Sequence, residues 1–121
     1  MLVLTKIVSD KIIGDMNNVA SIGLGYNGTE MSGNGYSRVS VPLGLFTFSS
    51  EDVSYYYYKN SSQILFPNAT GNWGSINEIY FFDSSGNKLY TFTLDSALGI
   101  ITGVTFVINA GGLVLKVSKQ S

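Results

Sequence analysis

INEIYFFDSSGNKLYTFTL, residues 76–94, carries the reading of the fold. Two apolar-rich runs, 76–82 and 88–94, flank Asp83, Ser84, Ser85, Gly86 and Asn87, a cluster of turn formers. Tyr90, Phe92 and Leu94 alternate with Thr91 and Thr93, so one side of the second run is apolar and the other polar. A glycine-containing loop between two such runs predicts a β-hairpin.

The same pattern extends in both directions. Downstream, residues 102–108 and 113–117 read as another strand pair around Asn109, Ala110, Gly111 and Gly112, while 95–101 fit either a loop or a brief turn. Upstream, 64–66 form a short apolar strand stopped by Pro67, and the turn-rich stretch 68–75 leads into 76–82. Further strands are expected at 45–48 and 53–58, joined by a polar turn at 49–52, and at 36–41, where Pro42 marks an edge or a strand end. Ala20, Ile22, Leu24 and Tyr26 alternate as a first strand. Before it, Leu4, Ile7, Val8 and Ile12 fall at helical spacing, which predicts one amphipathic helix over residues 5–16. Seven or eight short strands with turns between them predict an all-β protein, an antiparallel β-sandwich of jelly-roll or Ig-like type with a short N-terminal α-helix.

Composition narrows function more than fold. The chain has 121 residues, read as a single domain over 1–121, with no cysteine and no histidine. Disulfides, thiolate nucleophiles, Cys/His zinc sites and imidazole acid–base chemistry are therefore excluded. Seven basic and eight acidic residues give a net charge of −1, with no basic stripe to hold nucleic acid. The first fifteen residues meet Lys6 and Asp10 too early for a signal peptide or a membrane span. Only 12% of residues are charged, about half the usual share, which points to a surface covered by a partner or by further copies.

Few side chains suggest chemistry. Glu51 and Asp52 are neighbours and diverge in an extended chain, so they make no catalytic carboxylate pair. Asp83 with Asn87 is a turn sequence before it is a cation site, and no cofactor is implied. Gly23, Gly25 and Gly28 lack the lysine of a phosphate loop. Trp73, the only tryptophan, reads as a plug closing one end of the sandwich with its indole N–H on a loop carbonyl, ahead of a sugar-stacking platform. Arg38, the only arginine, follows Tyr36 and is placed to pair with Glu30 across a glycine-rich turn or with a carboxylate on another subunit. In the run Tyr55, Tyr56, Tyr57, Tyr58 alternate rings must leave the core, offering an interface or a glycan contact. Sequons at Asn27, Asn60 and Asn68 are read as chance in so Asn/Ser-rich a chain.

Two glycine-punctuated segments, GTEMSGNGYSRVSV at 28–41 and ILFPNATGNWGSINEIYFFD at 64–83, stand in an order that resembles a family of small tailed-phage virion proteins of tail-fibre, minor-tail or capsid-decoration type. The resemblance implies a non-enzymatic structural protein located in the virion. It places Tyr36, Arg38 and Trp73 among the structural residues of the family, while the tyrosine run 55–58 stands where the family has a polar insert. A capsid decoration or head-fibre protein acting as a homotrimer on the major capsid protein or another virion protein is the function it implies. A tail fibre or baseplate component, and a module binding host-surface glycan, are the alternatives.

Overall fold

The computed structural model describes residues 3–119. Residues 1–2 and 120–121, the ends of the single-domain span read from the sequence, lie outside them. The hairpin of residues 76–94 forms as two long strands, numbered here in chain order as β8 (Gly74–Phe82) and β9 (Lys88–Ile100). Its turn is held by one carboxylate: Asp83 Oδ1 accepts the N–H groups of Ser85 and Asn87, each at 2.9 Å, while Gly86 takes a φ of +84°. Asp83 thereby acts as turn chemistry.

β2 (Ser21–Tyr26) pairs antiparallel with β8, and β3 (Thr29–Glu30) and β4 (Val39–Ser40) both pair with β2. The resulting sheet runs β3-β2-β8-β9. Across the β2–β8 ladder Ile22 faces Phe81 and Leu24 faces Ile79, and all four are fully buried. The second sheet has the order β1-β11-β6-β5, from β1 (Leu4–Ile7), β5 (Phe46–Glu51), β6 (Tyr55–Asn60) and β11 (Leu113–Ser118). It contributes Phe46, Leu113, Leu115 and Val117 to the same core, giving the expected β-sandwich. A small third pairing joins β7 (Ile64–Leu65) to β10 (Val107–Ile108).

Several local readings change. The helix α1 covers only Asp10–Met16, because Ser9 caps it by accepting the Ile12 N–H at 3.4 Å. Residues 5–7, expected within the helix, instead join Leu4 in β1, which pairs parallel with β11. Two turns of helix have little stability alone, and α1 is fixed by packing on β9 and by Met16, which is fully buried. Residues 95–100 are strand: Glu78 pairs with Thr93 and Ile76 with Leu98, so 94–97 bulge opposite the single residue Asn77. Residues 49–51 also belong to a strand, and the turn starts three residues later, at 52–54.

Strand structure at 36–41 is confined to Val39–Ser40, and at 102–108 to Val107–Ile108. The expected pairing of 102–108 with 113–117 does not form. β10 is instead drawn to β7, and the preceding loop bonds to the 66–69 segment through Phe66 N–H to Phe106 O at 3.1 Å and Ala69 N–H to Val104 O at 2.9 Å. β11 is left free to sit between β1 and β6, the centre of its sheet. Among the described residues no helix is long and apolar enough to cross a membrane.

Candidate functional site

Two polar and aromatic clusters stand out, one built into the body of the sandwich and one on the β5–β6 hairpin. The first begins with glycines. A Cβ on Gly23 would lie 2.7 Å from Tyr36 Oη, and one on Gly25 would lie 2.3 Å from the Tyr80 ring. The spacing that superficially suggested a phosphate cradle therefore clears room for two phenols over β2.

Tyr36 O–H donates to Glu30 Oε2 at 2.7 Å and its oxygen accepts the Leu24 N–H at 2.9 Å. Arg38 meets the same carboxylate as a fork, Nε to Oε2 at 2.9 Å and Nη2 to Oε1 at 2.8 Å, with its guanidinium 3.6 Å above the Phe82 ring. The Arg38 hydrogen bond holds the Glu30 carboxyl below its ordinary range, against the opposing pull of burial. Burial, followed by the bond to Glu30, pushes the Tyr36 phenol up.

Trp73 closes the far side. Its indole N–H donates to Asn34 O at 2.8 Å, and Tyr36 meets it edge to face at 5.4 Å. Glu78 accepts from Tyr80 O–H and Gly28 N–H, both at 2.6 Å, and its carboxyl is likewise held low, mainly by Tyr80. Glu78 and Tyr80 carried no sequence signal, since their meeting depends on the bare backbone at Gly25.

Depressed carboxyl values give this cluster a pH signature. Glu30 and Glu78 each have a folded pKa below the ordinary 4.5, so their contribution is complete above that value and is lost as pH falls through the lower folded one. The melting temperature should be insensitive to these groups from about pH 7 to 5.5 and should fall steeply below about pH 4. Glu30→Gln should lower it at neutral pH and flatten the acid limb. Differential scanning calorimetry across that range checks both.

The second cluster is the β5–β6 hairpin. Tyr56 and Tyr58 pair with Val117 and Leu115 and so point to the core side; Tyr55 and Tyr57 pair with Ser118 and Lys116 and point outward. The outward pair is partly covered, with Lys116 Nζ 4.3 Å from the Tyr55 ring centre and 5.9 Å from that of Tyr57. The most exposed tyrosine of the run is Tyr56 at 38%, on the core side, beside Phe48 at 53%. On this core-facing side Phe48 and Tyr56 are thus left exposed, while Tyr58 packs against the core.

The tip is tied rather than loose. Asp52 Oδ1 accepts the N–H groups of Ser54 and Tyr55, each at 2.8 Å, and Oδ2 accepts from Tyr57 O–H. Lys119 lies 5.0 Å over Tyr56 and pairs with Glu51 at 2.6 Å. Glu51 and Asp52 are each engaged separately, and among the described residues no three acidic side chains converge on a metal position.

Two cavities open on the surface. One of about 330 Å³ is bordered by Val53, Ser54, Tyr55 and Ser118, and an apolar one of about 210 Å³ by Leu4, Leu94, Asp95, Ser96 and Leu98. The sequons serve structure: Asn27 bonds Asn77, Asn68 bonds Gly103 O and Thr105, and Asn60 is buried.

A family model described as Podophage GP4 fiber I protein gp80 matches residues 20–116. The match takes in both clusters and all strands from β2 to β10, and leaves out β1 and α1. No curated protein and no solved structure gives a match. With most of its length under that match, the chain belongs to the podophage fiber I protein gp80 family and is a structural component of the phage virion.

Proposed function

We propose that this chain is a non-enzymatic fibre subunit that self-associates, as a trimer, through the aromatic hairpin of β5 and β6. The observation that carries the reading is the uncovered core side of that hairpin, where Phe48 and Tyr56 are 53% and 38% exposed next to Val53 at 92%. Exposed aromatics on a rigid strand provide large contact area at small entropic cost. An edge strand, FTFSSE with neither lysine nor proline to guard it, supplies the unpaired backbone beside them. Tyr58 borders this surface against Phe48, while Tyr55 and Tyr57 lie on the opposite face of the hairpin.

The oligomer would attach to the major capsid protein or to another virion protein. A head fibre or decoration on the capsid exterior and a small fibre or baseplate element on the tail both accommodate such a unit. The family description favours a projecting element over one lying flat on the shell. A glycan platform has less support, because Trp73 is 8% exposed with Tyr36 against it and Lys116 lies over Tyr55.

Light scattering at high micromolar concentration should give three times the 13.1 kDa chain mass. Phe48→Asp, at an exposed position, should leave the fold intact and weaken assembly by about 30-fold or more, as expected for an anchor worth ~2 kcal/mol. A monomeric parent protein would sink the reading. Averaged images of the particle then separate capsid from tail by the position of the density.

A further inference from the structure

Among the described residues the sheet β1-β11-β6-β5 ends in two unpaired edges, one on β1 and one on β5. We propose that these edges meet between copies of this chain, β5 of one lying along β1 of the next, with Phe48 entering the apolar cavity beside β1. The proposal rests on the self-association reading above and specifies its mode, a head-to-tail contact instead of hairpin against hairpin.

Strand direction and side-chain parity agree with this. β1 is parallel to β11, β11 antiparallel to β6, and β6 antiparallel to β5, so β5 and β1 run in the same sense. Copies related without a flip therefore continue the sheet with the core faces on one side. On that side Leu4, paired with the core residue Leu113, opens onto the cavity completed by Leu94 and Leu98. Phe48, paired with Tyr58, projects from the same face of the incoming β5. At about 210 Å³ the cavity is smaller than the roughly 300–1,000 Å³ of small-molecule clefts and suits a single apolar side chain. It exists because residues 94–97 bulge from β9, carrying Asp95 and Ser96 to its rim.

Charge and area match as well. Each patch carries one ion pair at its border, Glu51 with Lys119 at 2.6 Å on the hairpin and Lys6 with Asp95 at 3.3 Å at the cavity. Apposing them sets two cations against two anions, and no net charge enters the contact. Phe48, Val53 and Tyr56 expose roughly 300 Å² of mainly apolar surface, taking aromatic side chains at about 150–250 Å² each. A standard contact uses about a tenth of a small protein's surface, here 6261 Å², so these three residues supply about half of one side. The polar Thr and Ser positions of β5 supply a rim. Because the two patches differ, each copy both gives and receives, and the contact closes into a ring where the rotation allows.

The chain has no cysteine, which makes the test direct. Ser49→Cys, next to Phe48, and Ser96→Cys, at the cavity rim, are both exposed substitutions. The two single variants are unfolded and refolded together, treated with a short bismaleimide, and compared with each variant alone. The expected result is a 49-to-96 linked pair in the mixture, with neither variant linking to itself. Self-linked 49-to-49 product, or an oligomer by light scattering that yields no link in the mixture, overturns the head-to-tail mode while leaving self-association standing. A monomer by light scattering overturns both.

Discussion

Replacing Trp73 with alanine should cost about 3–5 kcal/mol of unfolding free energy, the range for truncating a large buried aromatic. Domains of this size have about 5–15 kcal/mol in total, so the substitution should remove a large share of the stability. Two losses combine. The ring is 8% exposed and packs edge to face with Tyr36, so its removal leaves a void under the loop carrying Glu30 and Arg38. The Asn34 carbonyl loses its indole donor as well. Trp73→Phe separates the terms, retaining most of the packing and losing the hydrogen bond, at about 1–2 kcal/mol. Urea titration followed by far-ultraviolet circular dichroism measures both, and in the parent the single tryptophan reports the same transition by fluorescence. A Trp73→Ala protein as stable as the parent would refute the role given to the ring.

Asn60→Leu should also be destabilising, although leucine is the more apolar residue. Asn60 is 2% exposed and joins three segments: Nδ2 donates to Ser62 O and Asn109 O, each at 3.0 Å, and Oδ1 accepts the Leu113 N–H at 2.9 Å. Leucine removes all three bonds and strands the buried Leu113 N–H, while Asn109 O keeps the Gly112 N–H at 2.8 Å and Ser62 is only half-buried. For one orphaned buried group a loss of about 1–3 kcal/mol is expected. Asn60→Asp keeps the acceptor for Leu113 and turns a second oxygen against two carbonyls. It should be strongly destabilised at neutral pH and partly recover in mild acid, where a protonated carboxyl donates. Chemical denaturation at the two pH values, with hydrogen exchange at Leu113, tests the pair.

These two residues also mark what could be read from the chain. Trp73 lies among turn formers at the start of a strand, and its burial and carbonyl bond follow from local sequence. The β8–β9 hairpin and the meeting of Glu30 with Arg38 are legible for the same reason, since each pairing crosses one short turn. Asn60 is different. Read only as part of a sequon, it takes its role from Leu113, 53 residues away. The parallel pairing of residues 4–7 with β11 was hidden behind a helical spacing that 4, 7, 8 and 12 satisfy by coincidence, because a strand and a helix both bury Leu4 and Val8 in part. Residues 102–108 alternate well enough for a strand, yet their partner is decided by where β7 lies. In the tyrosine run, parity separated two rings from the other two, but which core-facing ring stays exposed is a property of the whole sandwich.

The parallel β1–β11 pair also sets how the protein carries load. Leu4 aligns with Leu113 and Ile7 with Lys116, and Leu4 N–H to Gly112 O and Val8 N–H to Lys116 O bracket the ladder at 2.8 Å each. Tension drawn between residue 3 and residue 119 pulls these neighbouring strands past one another along their length. The ladder is then sheared, and its bonds share the force instead of opening singly from one end. For a structural component of the virion, the strand at the sheet's edge is thus a mechanical clasp on the strand beside it.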